Sequence, residues 1–151
     1  MIKKKIHSLD KNYSAEIFLK KPDKYNEIEK VSLKFDNIIT MGSCNSYAPA
    51  SFKKDSLSIK LTQFNRILEF DEKNKLITVE AGITLSNLFN FTLQHGLWIP
   101  QIPGYPTITI GGAIASNSHG THASSEANSE ASSSHTGGKQ SYRASWLVPS
   151  M

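Results

Sequence analysis

Hydrophobic and polar residues alternate, or recur at helical spacing, over most of the first hundred positions. The apolar pattern of residues 13–19 predicts a short strand, and residues 38–41 and 57–61 predict two more. Residues 57–61 alternate strictly, which is typical of a strand buried on one face. Strands therefore dominate the first part of the predicted fold.

A helix is predicted between the first two of these strands, where Asp23 is a suitable N-terminal cap. Four side chains fall on one face of it at helical spacing: Tyr25, Ile28, Ser32 and Phe35. The order strand, helix, strand and polar loop is the beginning of an α/β arrangement, in which ligands bind beyond the strand ends.

A β-hairpin is the most distinct pattern in the chain. Two β-rich runs, residues 66–70 and 76–80, flank a polar turn that contains Asn74. A second helix follows, which Thr84 can cap and Gly96 ends. Its apolar stripe predicts a helix packed on the core and not a cofactor-binding motif; the stripe consists of Leu85, Leu88, Phe89 and Leu93.

Two segments without bulky side chains are candidates for a ligand site. The first is the turn at residues 42–46, which offers one glycine, hydroxyl groups and free backbone N–H groups. Successive N–H groups in such a turn can hold an anion, typically a phosphate. A plain surface turn is the alternative, because Ser, Asn and Gly are common turn residues.

The second segment, residues 103–120, begins with Pro-Gly and Tyr-Pro turns. Residues 107–110 are predicted to be extended because all four are β-branched. Gly111 and Gly112 then remove two Cβ atoms, so that a flat ligand could lie against the main chain. An ordinary tight junction between a strand and a helix is the alternative, since short glycine motifs have low specificity.

The composition narrows the possible partners. The 151 residues carry a net charge of +4 and are 38% hydrophobic, which suits one domain or a piece of a larger protein. The basic residues are not interleaved with aromatic ones, so no nucleic-acid partner is expected. No run approaches the ~20 apolar residues of a membrane span, and no secretory signal is visible. We therefore expect a cytoplasmic protein, for which peripheral membrane association remains open.

Few residues suggest catalysis or metal binding. Cys44 is the single cysteine, which excludes an internal disulfide. His119 and His122 lack an acidic or cysteine partner at ligand spacing, so no metal is expected. A nucleophile elbow is also missing. The sequence therefore names no catalytic residue.

Several motifs in one order resemble the FAD-linked oxidases, the vanillyl-alcohol-oxidase type with a PCMH-type FAD-binding domain. They are Met-Gly-Ser-Cys-Asn-Ser-Tyr at residues 41–47, Ile-Thr-Val-Glu-Ala-Gly at 77–82, His-Gly-Leu-Trp-Ile-Pro at 95–100, and Thr-Ile-Gly-Gly-Ala-Ile-Ala-Ser-Asn-Ser-His-Gly at 109–120. The nearest branch looks to be the sugar-lactone and alditol oxidases with the decaprenylphosphoryl-ribose oxidase group. Two loops and a hairpin in this order are more specific than either loop alone.

The resemblance implies an α+β fold, the N-terminal part of a PCMH-type FAD-binding domain over residues 13–120. A Ser-rich irregular tail, predicted to be disordered, follows over residues 121–151, because residues 121–145 have no period and few large apolar side chains. Only Trp146, Leu147 and Val148 could dock on the rest of the chain.

The resemblance also implies which residues contact FAD. The first segment would bind the pyrophosphate and its surroundings, and the second would line the isoalloxazine and pyrophosphate. The residues implied are Gly42, Ser43, Cys44, Asn45, Ser46 and Tyr47, then Pro103, Gly104, Thr109, Gly111, Gly112, Ala115, Ser116, His119 and Gly120.

Three positions depart from the family pattern or distinguish its branches. The family usually has arginine where this chain has Met41, and a second glycine where it has Cys44. Some relatives tether the flavin through a histidine at the position of Asn45. Asparagine cannot form that bond, so non-covalent FAD is expected.

The activity implied is FAD-dependent oxidation of a CH–OH group in a sugar, alditol or aldonolactone, as in a D-arabinono-1,4-lactone oxidase. In such enzymes a C-terminal domain beyond these residues holds the substrate. Two alternatives stay open. One is a truncated or frame-altered remnant without activity, and the other is a phosphate- or nucleotide-binding module without catalysis.

Overall fold

The computed structural model describes residues 1–32, 35, 37–99, 101–102, 104–118, 121–122, 130–136 and 139–145, with backbone only for residues 32, 101–102, 121–122 and the two last ranges. The chain divides into two compact units, Met1–Phe64 and Asn65–Met151.

The first unit is built on a four-stranded mixed sheet. Its elements are β1 (Ile2–His7), β2 (Ser14–Lys20), α1 (Tyr25–Ser32), β3 (Ile38–Met41) and β4 (Leu57–Lys60). The strand order is β1-β2-β4-β3. β1 and β2 are antiparallel, whereas β4 runs parallel to both β2 and β3. The carboxyl ends of three strands therefore lie at one edge of this sheet.

β4 is buried on both faces, whereas the sequence predicted burial on one face only. The reason is that β4 lies inside the sheet, between β2 and β3. Leu57 and Ile59 pack with Val31 of α1 on one face of the sheet. Ser58 is 0% exposed on the opposite face, and its hydroxyl donates to the Ser51 carbonyl oxygen at 3.4 Å. Because β4 has a strand on each side and cover on both faces, its polar alternate residue is buried too.

The helix face expected in α1 is only partly observed. The helix lies where the sequence predicts it, but Val31 is its buried anchor, at 6% exposure. Phe35 lies beyond the end of the helix and is 39% exposed. β1 was not predicted at all, because three consecutive lysines conceal its alternation of Ile2, Lys4 and Ile6.

The second unit combines a four-stranded sheet with two helices. Its elements are β5 (Ile67–Asp71), β6 (Leu76–Glu80), α2 (Leu85–Gln94), β7 (Gln101–Ile102), α3 (Ile110–Ala115), β8 (Thr121–His122), β9 (Glu130–Thr136) and β10 (Lys139–Ser145). The four-stranded sheet has the order β5-β6-β10-β9, and β7 pairs with β8.

The predicted hairpin and second helix are confirmed. β5 and β6 pair antiparallel, and the Asp71 carboxylate accepts hydrogen bonds from Asn74 in the turn between them. Thr84 caps α2 by accepting from the Asn87 N–H at 3.3 Å, and Gly96 ends it at φ 67°. Leu93 was expected in the core but is 45% exposed.

The core of this unit lies between the hairpin and α2. Ile77 and Val79 of β6 pack with Leu85 and Leu88 of α2. Thr92 continues the buried stripe in place of Leu93, because it lies seven residues, or two turns, after Leu85.

The predicted irregular tail is described only in part. β9 and β10 form a hairpin, and β10 pairs with β6 from Ser141 to Ser145. Backbone N–H and C=O groups at the open edge of β6 provide hydrogen-bonding partners that do not depend on large side chains. The predicted docking of residues 146–148 lies outside the described residues, and the domain limits 13–120 and 121–151 stay a prediction.

Two further expectations concern the whole chain. The mixed α/β fold with a four-stranded sheet and a hairpin is confirmed. In the part of the chain that the structure describes, no helix has the length and apolar character needed to cross a bilayer.

Candidate functional site

The turn at residues 42–46 lies at the carboxyl edge of the first sheet, where it follows β3 directly. The turn is held from outside, because its Ser46 carbonyl oxygen accepts a hydrogen bond from the Leu9 N–H at 2.9 Å. Residues 42–46 are half-buried, whereas Tyr47 is 61% exposed. The sequence expectation that this segment is a polar turn beyond a strand end is confirmed.

Cys44 has the left-handed backbone conformation that favours glycine, with φ 63°. Its side chain turns towards the sheet and packs on the cluster that contains Ile17, Met41 and Phe52. The thiol sulfur lies 3.7 Å from the His7 carbonyl oxygen. The glycine expected here from the family resemblance therefore has a physical reason, and the half-buried thiol packs against the sheet instead of filling the turn.

Met41, which stands where the family usually has arginine, is a core residue of this unit. It is 2% exposed, so it offers no polar group to a ligand. Its neighbour in the strand register is Lys60, the last residue of β4. Burial lowers the pKa of the Lys60 ammonium, and Lys21 lowers it further. A cation is thus present beside the turn, although it comes from a different strand.

The second candidate segment is built around Thr109 and α3. Thr109 is 2% exposed and bridges to Thr84, the cap of α2. Its hydroxyl caps α3 by accepting from the Gly112 N–H at 3.3 Å. The sequence predicted an extended run over residues 107–110, but only Thr109 forms a bridge and Ile110 already begins the helix.

Gly111 and Gly112 lie in the first turn of α3 and not in an open loop. The Gly111 N–H donates to the Ala81 carbonyl oxygen at 2.8 Å, and the Ile110 N–H donates to the Ile83 carbonyl oxygen at 2.9 Å. A Cβ at position 111 would lie 3.0 Å from both the Cβ and the carbonyl oxygen of Ala81. Gly111 is therefore needed for close packing, and the N–H groups at this helix end already have protein partners.

The opposite side of this segment presents small residues to the outside. Gly112, Ala115 and Ser116 are exposed. A Cβ built at Gly104 would meet no atom within 4 Å. The Ser116 hydroxyl donates to the Gly112 carbonyl oxygen at 2.7 Å and lies 2.7 Å from the Ser118 hydroxyl. This surface can accept a flat group, whereas the Gly111 backbone cannot.

The two segments belong to different compact units, Met1–Phe64 and Asn65–Met151. Gly42, Ser43, Cys44, Asn45, Ser46 and Tyr47 are brought together in the first; Gly104, Thr109, Gly111, Gly112, Ala115 and Ser116 lie in the second. Pro103, His119 and Gly120, which were also predicted to contact the cofactor, lie outside the described residues.

One interaction supporting the second segment was missed from the sequence. The Glu80 side chain is 1% exposed, and it accepts hydrogen bonds from the backbone N–H and the guanidinium of Arg66, both at 2.8 Å. Glu80 directly precedes Ala81, the partner of Gly111. The sequence does carry a sign of this pair. Glu80 is the last residue of β6, and Arg66 directly precedes β5.

The chain matches the model of a protein family described as "FAD binding domain" over residues 17–132. Two curated relatives are similar in sequence. It is 37% identical over 83 residues to decaprenylphosphoryl-beta-D-ribose oxidase of Mycolicibacterium smegmatis, which covers 55% of this chain and 18% of the relative. It is also 37% identical over 67 residues to L-gulonolactone oxidase of Mus musculus, which covers 44% of this chain and 15% of the relative.

A solved structure agrees in fold. Cholesterol oxidase from B. sterolicum superimposes with a TM-score of 0.67 at 14% identity, over 96% of this chain and 32% of that one. In sequence, the match spans less than a fifth of the length of decaprenylphosphoryl-beta-D-ribose oxidase and of L-gulonolactone oxidase.

Proposed function

The chain belongs to the FAD-binding domain family, and from this premise we propose that it holds FAD non-covalently for the oxidation of a CH–OH group. The substrate class we propose is a sugar, alditol or aldonolactone. The cytoplasmic location expected from the sequence stays a prediction.

The observation that carries the proposal is the family match over residues 17–132, which includes both side-chain-poor segments. The turn at residues 42–46 fits the cofactor because it is a polar turn at the carboxyl edge of parallel strands. Cys44 leaves room there, since its thiol packs towards the sheet. Asn45 occupies the position of the tethering histidine, which supports non-covalent binding.

The second segment fits a flat ring through its outer surface. Gly104 has open space in place of a side chain, and Gly112 and Ala115 are exposed. These residues would hold the ring by van der Waals contact, because the N–H groups of Gly111 and Gly112 already donate within the protein. Bound FAD would supply hydride acceptance, and the chain's own residues would fix its position.

The names of the relatives support the substrate class. One is named as the oxidase of a sugar derivative and the other as the oxidase of a sugar lactone. Because this chain matches less than a fifth of either relative, the oxidation itself is a proposal about the whole protein.

Titration of the purified chain with FAD, followed by flavin absorbance, tests the binding. We expect saturable binding that Gly112→Val abolishes, because a branched side chain would cover the exposed surface of α3. The hairpin should stay intact in this variant, which circular dichroism can check. Unchanged FAD titration in Gly112→Val would count against the role of the second segment.

Anaerobic addition of aldonolactones, alditols and sugars to the flavin-loaded full-length protein, including any residues beyond this chain that hold the substrate, tests the reaction. Bleaching of the flavin band by one of these classes supports the oxidoreductase. FAD binding without bleaching favours the nucleotide-binding module, and failure to unfold cooperatively favours the inactive remnant.

A further inference from the structure

Lysines gather at the edge of the first sheet where the turn at residues 42–46 lies. β2, β4 and β3 run parallel, so their last residues meet at this edge. β2 ends in Lys20 and is followed by Lys21, and β4 ends in Lys60. This edge of the sheet is therefore basic.

Lys60 is placed closest to the turn by the strand register. It is the register partner of Met41, and the Leu61 N–H donates to the Met41 carbonyl oxygen at 2.9 Å. Register partners in a sheet share a face. Lys60 therefore extends over the face on which Met41 is buried and against which Cys44 packs.

The charge of Lys60 is not neutralised by a carboxylate in the described part of the chain. Lys20 has such a partner, because its ammonium lies 3.7 Å from a Glu27 carboxylate oxygen. The charged groups that influence Lys60 are Lys21 and Lys4, which repel it, and the titratable Cys44 thiol also lies near it. Its ammonium is half-buried among like charges at the sheet edge where an anion would be stabilised.

We propose that Lys60 binds the diphosphate of FAD beside the turn at residues 42–46, with Lys21 adding positive charge. This assignment rests on the proposed function. Lys60 would supply a cation beside the turn, which Met41 cannot do because it is buried and uncharged. The apoprotein carries a cost, because burial and repulsion disfavour the Lys60 ammonium and lower its pKa.

That cost separates a binding role from a structural one, because the two roles predict opposite changes in stability. Lys60→Met keeps most of the length of the unbranched side chain and removes the charge. If the ammonium serves the ligand, this variant raises the melting temperature of the apoprotein while it weakens FAD binding. If the ammonium stabilises the fold instead, the same variant lowers both the melting temperature of the apoprotein and its affinity for FAD.

The test measures the Kd for FAD and the melting temperature without FAD, on the whole chain. The variants are Lys60→Met, the charge-preserving Lys60→Arg, and Lys54→Met as a matched control on an exposed lysine of the same unit. We expect Lys60→Met to weaken FAD binding about tenfold, which corresponds to about 1.4 kcal/mol. Lys60→Arg and Lys54→Met should stay within about threefold, or about 0.6 kcal/mol.

Added salt gives a second measurement, because screening weakens an exposed ionic contact. The loss of FAD affinity between low and high salt should be smaller in Lys60→Met than in the unaltered chain. Equal affinity and equal salt dependence of these two proteins would overturn the assignment of Lys60 alone. Absence of FAD binding by the unaltered chain would instead overturn the proposed function, and this assignment with it.

Discussion

Gly111→Ala should destabilise the second unit although alanine is the better helix former. The new Cβ would lie 3.0 Å from the Cβ and from the carbonyl oxygen of Ala81. One of these two atoms belongs to the backbone, so the contact cannot be relieved by a side-chain rotation. Helix α3 must then move away from Ala81, which lengthens the 2.8 Å hydrogen bond from the Gly111 N–H to that carbonyl oxygen.

The magnitude follows from three opposing terms. Overpacking costs about 1–3 kcal/mol, and the weakened hydrogen bond costs about 0.5–1.5 kcal/mol. Replacing glycine by alanine in a helix returns about 1 kcal/mol. The net expectation is a loss of about 2 kcal/mol, which lowers the melting temperature by roughly 4–8 °C.

The neighbouring glycine provides the control. A Cβ at Gly112 would lie 3.1 Å from the Thr109 hydroxyl oxygen, a side-chain atom that can rotate. The gain in helix propensity should largely offset that contact, so Gly112→Ala should lose less than half as much stability as Gly111→Ala. Urea titrations followed by circular dichroism measure both. Equal stability of Gly111→Ala and the unaltered chain, or a greater loss in Gly112→Ala, would refute the close packing inferred at Ala81.

Three other variants test further parts of the structure. Cys44→Gly should leave FAD affinity in a fluorescence titration within about threefold, because the thiol already packs towards the sheet and away from the turn; markedly tighter binding would show that the thiol obstructs the turn. Glu80→Ala should lower the free energy of unfolding by about 2 kcal/mol in urea, because it removes a buried carboxylate that accepts hydrogen bonds from the backbone N–H and the guanidinium of Arg66, and a loss under about 0.5 kcal/mol, the value of an exposed pair, would show that Glu80 contributes little. The hydrogen bond from the Ser8 hydroxyl holds the pKa of Asp10 below its ordinary value. The stability that this group contributes is present at neutral pH and is lost as the pH falls through the lowered pKa. Asp10→Asn should therefore flatten the acid side of the stability profile measured by thermal melts, and an unchanged profile would show that Asp10 has no such role.

Local patterns predicted the elements whose residues show a clear period. The hairpin of β5 and β6 follows from two β-rich runs around a polar turn, and the capping of α2 follows from Thr84 before an apolar stripe. β1 was concealed because lysines occupy half of its positions, and pairing with β2 makes it a strand. Pairing of β10 with β6 depends on an open strand edge, which the composition of residues 139–145 does not reveal.

For the candidate site, the sequence predicts where bulky side chains are missing but not which contacts those positions make. The sequence indicates that positions 42–46 and 111–112 lack bulk, yet it does not reveal which atoms already have partners. The Gly111 N–H is used by the Ala81 carbonyl oxygen, a contact between residues 30 positions apart. The left-handed φ of Cys44 likewise depends on packing against the sheet, which no local pattern encodes.

The central claim is that this chain binds FAD without a covalent bond. The most direct measurement is the flavin absorbance of the chain after gel filtration with added FAD, before and after denaturation and removal of small molecules. We predict a flavin band that travels with the folded protein and is lost from it on denaturation. A colourless protein peak, or a flavin that stays attached to the denatured chain, would contradict the claim.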